Sequence, residues 1–322
     1  MYYYNIKYVI ECEKEEEKVV VLSQMIVLFI VLLIGVLANK KGIINDKIEK
    51  SLSWIVINIA NPALIISSSL SKNKDISGKD LAGVMIIAIA MYLGLIILAY
   101  IITKLLRVNK TATGAYMVMF VFSNIAFMGY PVISGIYGKG ALLYASLFSL
   151  PFNILIYTYG VLAIGGSTKL SDLKISKILN IGVLACIVSI ILFAIRIPLP
   201  GFVQTLTDML GNLSAPLSMM VIGSSLVKMD IKSVLNDYKM IIFIVVKQLV
   251  FPILAAFAIK GLIDSELIYG IVVIMLAMPV GSMTAMLANQ YNGDYELVSK
   301  GVAFSTLVSV ISIPLISVIV GL

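Results

Sequence analysis

The sequence predicts an all-α integral membrane protein: ten transmembrane helices arranged as two inverted five-helix repeats. Three observations predict it. Of 322 residues, 60% are hydrophobic and only 13% charged, and the mean hydropathy is +1.05. A soluble chain of this length has too little polar surface to cover so much apolar material. Ten runs of mostly apolar residues, each about 18 residues or longer as a membrane-crossing helix requires, lie at 19–38, 49–70, 81–106, 112–137, 141–166, 177–196, 202–227, 236–260, 266–291 and 295–321. Seven of the nine prolines fall inside these runs, and six of them pair between the two halves: Pro62 with Pro216, Pro131 with Pro279 and, poorly aligned in register at an offset of 163, Pro151 with Pro314.

Taken in order, residues 1–18 (MYYYNIKYVIECEKEEEK) place charge after a weak apolar segment and offer no small-residue cleavage site, so they read as a polar leader rather than a signal peptide. Residues 19–166 hold the first five spans, 167–176 form a short cytoplasmic linker, and 177–322 hold the second five, all as one membrane domain. Lysine and arginine are retained on the cytoplasmic side. The loops after spans 1, 3, 5, 7 and 9 carry 14 of them, from Lys40 to Lys300, against 6 in the loops after even spans (Lys72, Lys74, Lys79, Lys139, Arg196 and Lys260). Both termini are therefore expected outside a multi-pass protein of the cell membrane.

The repeat is legible residue by residue. Asn58-Ile59-Ala60-Asn61-Pro62 in span 2 is echoed by Asn212-Leu213-Ser214-Ala215-Pro216 in span 7, at an offset of 154. Ser68-Ser69-Leu70 matches Ser224-Ser225-Leu226, with a basic segment after each, and Tyr137-Gly138 matches Tyr291-Asn292-Gly293. Five spans per half is an odd number, so the second half enters the membrane from the opposite side and the repeat is inverted.

The chemistry is expected where the helices break. Span 4 contains Ser123-Asn124-Ile125-Ala126-Phe127-Met128-Gly129-Tyr130-Pro131, and span 9 contains Met278-Pro279-Val280-Gly281-Ser282. Proline removes a donor and displaces the carbonyl four residues earlier, while glycine lets the chain unwind. Freed backbone groups survive in a bilayer only when buried in protein or lining a wet cavity, and half-helix N-termini carry partial positive charge that suits a carboxylate. The bland alternative is a pair of tolerated kinks. Asn124, Gly129, Pro131, Pro279 and Ser282 are the first candidates for contact with substrate. Asn58, Asn61, Asn212 and Ser214, around the NxxxP pair, are the second; an asparagine one turn before a proline either satisfies loosened backbone or faces the substrate. Lys247, in span 8, either snorkels to the interface or supplies the counter-charge for an anion. Asp208, near the outer start of span 7, reads as interfacial.

Several function classes are excluded or disfavoured. No histidine is present, and the two cysteines, Cys12 and Cys186, form no ligand pair, so neither a metal site nor any cofactor is expected. The net charge of +7 is dispersed between spans and forms no nucleic-acid patch. Nucleotide loops, HExxH and GxSxG are absent, which leaves an enzyme little support. Spans 2 to 5 and 8 to 10 hold no deep carboxylate, so the paired aspartates of a sodium/proton antiporter are missing. Anion export from a negative interior gains about 2.3 kcal/mol per charge per 100 mV and needs no coupled ion.

The segments LSQMIVLFIVLLIGVLANKKGIIND, NPALI, SNIAFMGYPVISGIYG and AMPVGSMTAMLANQYNGD, in this order, resemble the auxin efflux carrier family of permeases, in particular its bacterial members, over about residues 20 to 322. That family is similar in architecture to the bile-acid sodium symporters and, more distantly, the sodium/proton antiporters. The resemblance implies broken helices 4 and 9 crossing near the midplane, a scaffold of spans 1, 2, 6 and 7, and a moving unit of spans 3 to 5 with 8 to 10. It places Asn124, Pro131 and Pro279 at the crossover and holds substrate between it and the scaffold face around Asn58 and Asn212. It also implies malate- or malonate-like carboxylates as substrates; the long cytoplasmic loop of the long plant carriers is missing, which disfavours auxin. Expected partners are the lipid bilayer, a small carboxylate and, in a homodimer, a second copy. The competing readings are a passive anion channel, a carrier of auxin-like aromatic carboxylates and a non-transporting receptor.

Overall fold

The computed structural model describes residues 23, 26–70, 78–165, 180–195, 200–227 and 237–321. The leader 1–18, the linker 167–176 and the basic segments after the two SSL sequences lie outside them. All regular structure among the described residues is helical: α1 (Ile26–Lys40), α2 (Asp46–Leu70), α3 (Gly78–Leu105), α4 (Lys110–Val121), α5 (Ile125–Tyr137), α6 (Ala141–Gly165), α7 (Ile181–Ile195), α8 (Gly201–Leu226), α9 (Tyr238–Ile259), α10 (Glu266–Ala277), α11 (Ser282–Gln290) and α12 (Tyr295–Val320). Six of them, α2, α3, α6, α8, α9 and α12, are long and apolar enough to cross a membrane.

Polar caps fix where helices start. Asn45 accepts from the backbone N–H groups of Lys47 and Ile48, both at 3.1 Å, and Asp46 and Glu49 lie in the first turn, where acidic charge complements the helix dipole. Asp237 does the same for α9 through Lys239 and Met240, and Asp294 for α12 through Leu297. α12 ends at Gly321, whose φ of +79° closes the helix in the left-handed conformation that glycine adopts without strain.

The burial pattern is that of a protein dissolved in lipid. Ile86, Ile97, Leu105, Leu254 and Ile311 face outward, while Lys247, Gln248, Ser305, Ser309 and Ser312 are buried. Burial of this polar set is tolerable because most of its groups find partners inside the helices. Ser309, for example, donates to the carbonyl of Thr306 at 2.6 Å.

Proline widens three helices in one manner. Pro62, Pro131 and Pro252 each follow a π turn, Val56–Ala60, Ile125–Gly129 and Val246–Val250, that ends two residues earlier. The residue before each proline, Asn61, Tyr130 or Phe251, bonds back five residues instead of four. The ring displaces the carbonyl four residues back, and one extra residue in the turn absorbs the displacement. Pro216 differs from Pro62, its counterpart in the sequence. It lies in the first turn of the helix that restarts at Ser214 after the Asn212-Leu213 turn, where a missing N–H costs little.

Two groups of helices result. In the first, the C-terminal half of α2 packs on α7 and on the N-terminal half of α8, while its N-terminal half meets the C-terminal half of α8, so α2 and α8 run antiparallel. α1 joins through backbone-to-backbone contact: a Cβ on Gly35 would strike the carbonyl of Met220, and one on Gly223 the carbonyl of Leu32. In the second group, α4, α6 and α9–α12 gather around residues 122–124 and 278–281 and α3 packs on α4 and α6, with edge-on ring pairs Tyr116–Phe243 and Phe122–Phe152 at 4.9 and 5.4 Å.

Candidate functional site

Span 9 of the sequence is two helices, α10 and α11, and span 4 is likewise α4 and α5. The extended residues between the members of each pair meet. The Asn124 N–H donates to the Pro279 carbonyl at 2.7 Å, the Gly281 N–H donates to the Phe122 carbonyl at 2.9 Å, and Ser123 faces Val280 as an isolated antiparallel bridge. The two breaks thus satisfy each other's backbone. Ser123, Asn124, Pro279 and Val280 are all buried, and an unpaired amide there would cost on the order of several kcal/mol. The remaining Val280 N–H donates to Ser305 Oγ at 3.0 Å, which ties the crossover to α12.

Four helix ends converge on this point. α4 and α10 arrive with their C-termini, while α5 and α11 leave with their N-termini. Asn124 caps α5, its side-chain oxygen accepting from the Phe127 N–H at 3.3 Å, and its amide nitrogen has no hydrogen-bond partner among the described residues. Gly281 caps α11 with no side chain, so the first N–H groups of α11, beside half-buried Ser282, retain their donor capacity. Thr284 folds back to the Gly281 carbonyl at 2.6 Å.

Facing the start of α5 is the middle of the α2–α8 crossing. Asn61 donates from Nδ2 to the Ala126 carbonyl at 3.2 Å, and its Oδ1 accepts from Ser214 Oγ. Both side chains are buried. One asparagine therefore links α2, α8 and the π turn that opens α5.

Lys247 does not snorkel. Its side chain is 2% exposed, its Nζ donates to Ser123 Oγ at 2.9 Å and lies 5.9 Å from the centre of the Phe120 ring. The π turn before Pro252 carries it and Gln248, so proline-induced widening sets both polar side chains into the interior. The structure thus brings Asn124, Pro279, Ser282 and Lys247 to the crossover, and Asn61 and Ser214 against it. Gly129 and Pro131 shape the turn rather than present donors. A Cβ on Gly129 would meet Met275 Sδ at 3.5 Å, an ordinary contact.

Two sequence candidates stand apart. Asn58 donates to the Trp54 carbonyl of its own helix at 2.9 Å, and Asn212 is exposed in the turn within α8. Asp208 serves as an ion-pair partner, accepting from Lys139 Nζ at 2.9 Å and from Ser67 Oγ at 2.6 Å. Ser123, Gly281, Ser305 and Pro252 were not singled out from the sequence. The GSMT run flags Gly281, but the pairing register that gives Ser123 its role has no local signature.

Comparison with known proteins points to a membrane transporter. Two archaeal relatives are each 26% identical to the chain: an uncharacterised transporter of Methanothermobacter thermautotrophicus over 298 residues (90% of this chain, 95% of the relative) and one of Methanocaldococcus jannaschii over 302 residues (90% and 96%). The family model for membrane transport proteins matches residues 20–317. The chain is a multi-pass membrane protein belonging to the membrane transport protein family, that of the auxin efflux carrier-like permeases.

Proposed function

We propose that the protein is a secondary transporter of small organic anions, malate- or malonate-like carboxylates, working by alternating access in the cell membrane. The reciprocal pairing of the two helix breaks carries this reading. It buries two extended segments in the interior of an apolar bundle and leaves the N-termini of α5 and α11 there with donor capacity, an environment that favours a carboxylate.

The substrate lies between the crossover and the α2–α8 crossing. One carboxylate oxygen accepts from Asn124 Nδ2 and the first N–H groups of α11, with Ser282 beside them, while Asn61 and Ser214 form the opposite wall. Lys247 lies behind the crossover and adds positive potential through low-dielectric protein, where it acts over a longer range than in water. Antiparallel packing of α2 with α8 and the antiparallel bridge support a ten-helix molecule whose second half is an inverted copy of the first. The first helix group acts as scaffold, and the second carries the crossover past it.

A thermal-shift panel of mono- and dicarboxylates on purified protein tests the substrate class. A C3 or C4 carboxylate raises Tm in the wild type and fails to do so in Asn124→Ala. If no carboxylate shifts the wild type while a neutral or cationic solute does, the anion reading is wrong.

A further inference from the structure

Because residues 122–124 and 279–281 pair antiparallel, α5 and α11 leave the crossover in opposite directions. The two helices are covered unequally. α5 lies against the C-terminal half of α8 and the start of α6, and each of its residues is buried or half-buried. α11 packs on α4, α6 and α12, all members of its own group, and its Met286, Asn289 and Gln290 are exposed. The spacing of 154 that relates the two halves of the sequence pairs Met286 with Val132. Met286 is 65% exposed and Val132 1%. Lipid around both would leave both exposed, so the difference comes from the first group, which covers α5 and leaves α11 open. Ser282, Met286 and Asn289 form one stripe at helical spacing from the crossover to the end of α11. A serine and an asparagine on an open face suit water rather than hydrocarbon.

The end of the bundle where α5 stops is fastened across the two groups. Lys139, in the turn between α5 and α6, donates to Asp208 of α8 at 2.9 Å, and Ser67 of α2 donates to the same carboxylate oxygen at 2.6 Å. At the other end of the α2–α8 pair the printed contacts stay within the first group: Ser224 of α8 donates to Glu49 of α2 at 2.9 Å, and Asn39 of α1 donates to Ser224 at 2.8 Å. The spacing of 154 puts Gly293, Trp54 and Val221 where the first end has Lys139, Asp208 and Ser67. None of these three offers a cation, a carboxylate or a hydroxyl, so the inverted position of the second group forms no equivalent latch.

We propose that the empty protein rests closed at the Lys139 end, held there by the latch of Lys139, Asp208 and Ser67, and open along the Ser282, Met286 and Asn289 face of α11. An ion pair whose members are each about one-third exposed favours one state by up to about fivefold, and no counterpart offsets it in the other. A solute approaching along α11 meets an open cavity. One approaching from the Lys139 end binds only the minor state, and its apparent affinity falls in proportion to that state's population. Only this last consequence rests on the carrier reading; the resting state does not.

The test needs no substrate. Met286→Cys and Val132→Cys are each made in a Cys12→Ser, Cys186→Ser background, placed in nanodiscs that present both faces to the buffer, and reacted with a charged methanethiosulfonate. Met286→Cys reacts at least about tenfold faster than Val132→Cys, which the reagent reaches only in the minor state. Adding Lys139→Gln or Asp208→Asn raises the Val132→Cys rate about three- to fivefold, and exchanging the two charges, Lys139→Asp with Asp208→Lys, returns it to the parent value. Should Val132→Cys fail to fold, the near-isosteric Ser134→Cys, half-buried on the same helix, is read for the same rise. Equal rates at Met286→Cys and Val132→Cys overturn the resting state. A Met286→Cys that the charged reagent does not reach also overturns it, because that face then lies in lipid. A Val132→Cys or Ser134→Cys rate unmoved by loss of the ion pair overturns the latch. A failed carboxylate panel would leave this experiment unaffected.

Discussion

Removing Asn61 separates the α2–α8 crossing from the crossover, and the structure sets the size of the effect. Asn61→Ala deletes the bond to the Ala126 carbonyl and the bond from Ser214, and leaves the 0%-exposed Ser214 hydroxyl without its acceptor. Side-chain hydrogen bonds inside membrane proteins are worth about 0.6 kcal/mol on average and about 1.7 at most. Two of them put the loss for Asn61→Ala at about 1 to 3 kcal/mol. Ser214→Ala alone removes one bond and leaves a buried amide oxygen unpaired, about 1 kcal/mol. In the Asn61→Ala background the same serine is already unpaired, so its removal costs close to nothing. The coupling in the double-mutant cycle is then about 1 kcal/mol. Reversible denaturant unfolding in mixed micelles measures all four proteins. If Ser214→Ala costs the same in both backgrounds, the two side chains do not act as a pair and the link from scaffold to crossover is wrong.

Other substitutions probe separate parts of the account. Gly281→Ala places a Cβ 3.0 Å from the Ser123 carbonyl oxygen and 3.2 Å from that of Phe122, so the paired segments must spread by a few tenths of an ångström; about 1 to 2 kcal/mol of stability is lost, and unchanged unfolding would contradict the tight pairing. Lys247→Gln weakens carboxylate binding by about tenfold, the effect of removing one buried positive charge at long range; unchanged affinity in a titration would remove Lys247 from the anion field. Asp208→Asn breaks the ion pair between α8 and the loop before α6. Because Lys139 and Asp208 are each about one-third exposed, it alters stability by no more than about 1 kcal/mol, yet it raises labelling of an Ala126→Cys probe from the Lys139 face of the membrane. No change in labelling would mean that the pair does not restrain the two groups.

The sequence led to the breaks but not to what the breaks hold. Proline and glycine punctuate a helix locally, so the bends near Pro131 and Pro279 can be read from short windows; Asn61 and Ser214 stand out in the repeated motif as candidates, but their bond to each other spans 153 positions and has no local signature. Pairing of Ser123 with Val280 joins residues more than 150 positions apart, and no periodicity encodes that register. Lys247 was visible as a lysine two turns from a loop, a position that fits snorkelling equally well. Only the π turn before Pro252, which rotates it inward, decides the matter. Asn58 and Asn212 mark the other limit. Their place in the repeat is shared, but one bonds its own helix and the other faces outward, because α2 continues through its proline while α8 stops and restarts.

Counterflow in proteoliposomes tests the central claim most directly. Vesicles containing the protein and loaded with unlabelled malonate or malate should accumulate the labelled anion from outside, with a saturable rate that falls to the empty-vesicle level in Asn124→Ala. Absence of exchange for every small carboxylate, or flux that rises linearly with concentration and survives Asn124→Ala, would contradict an alternating-access anion carrier built on the paired breaks.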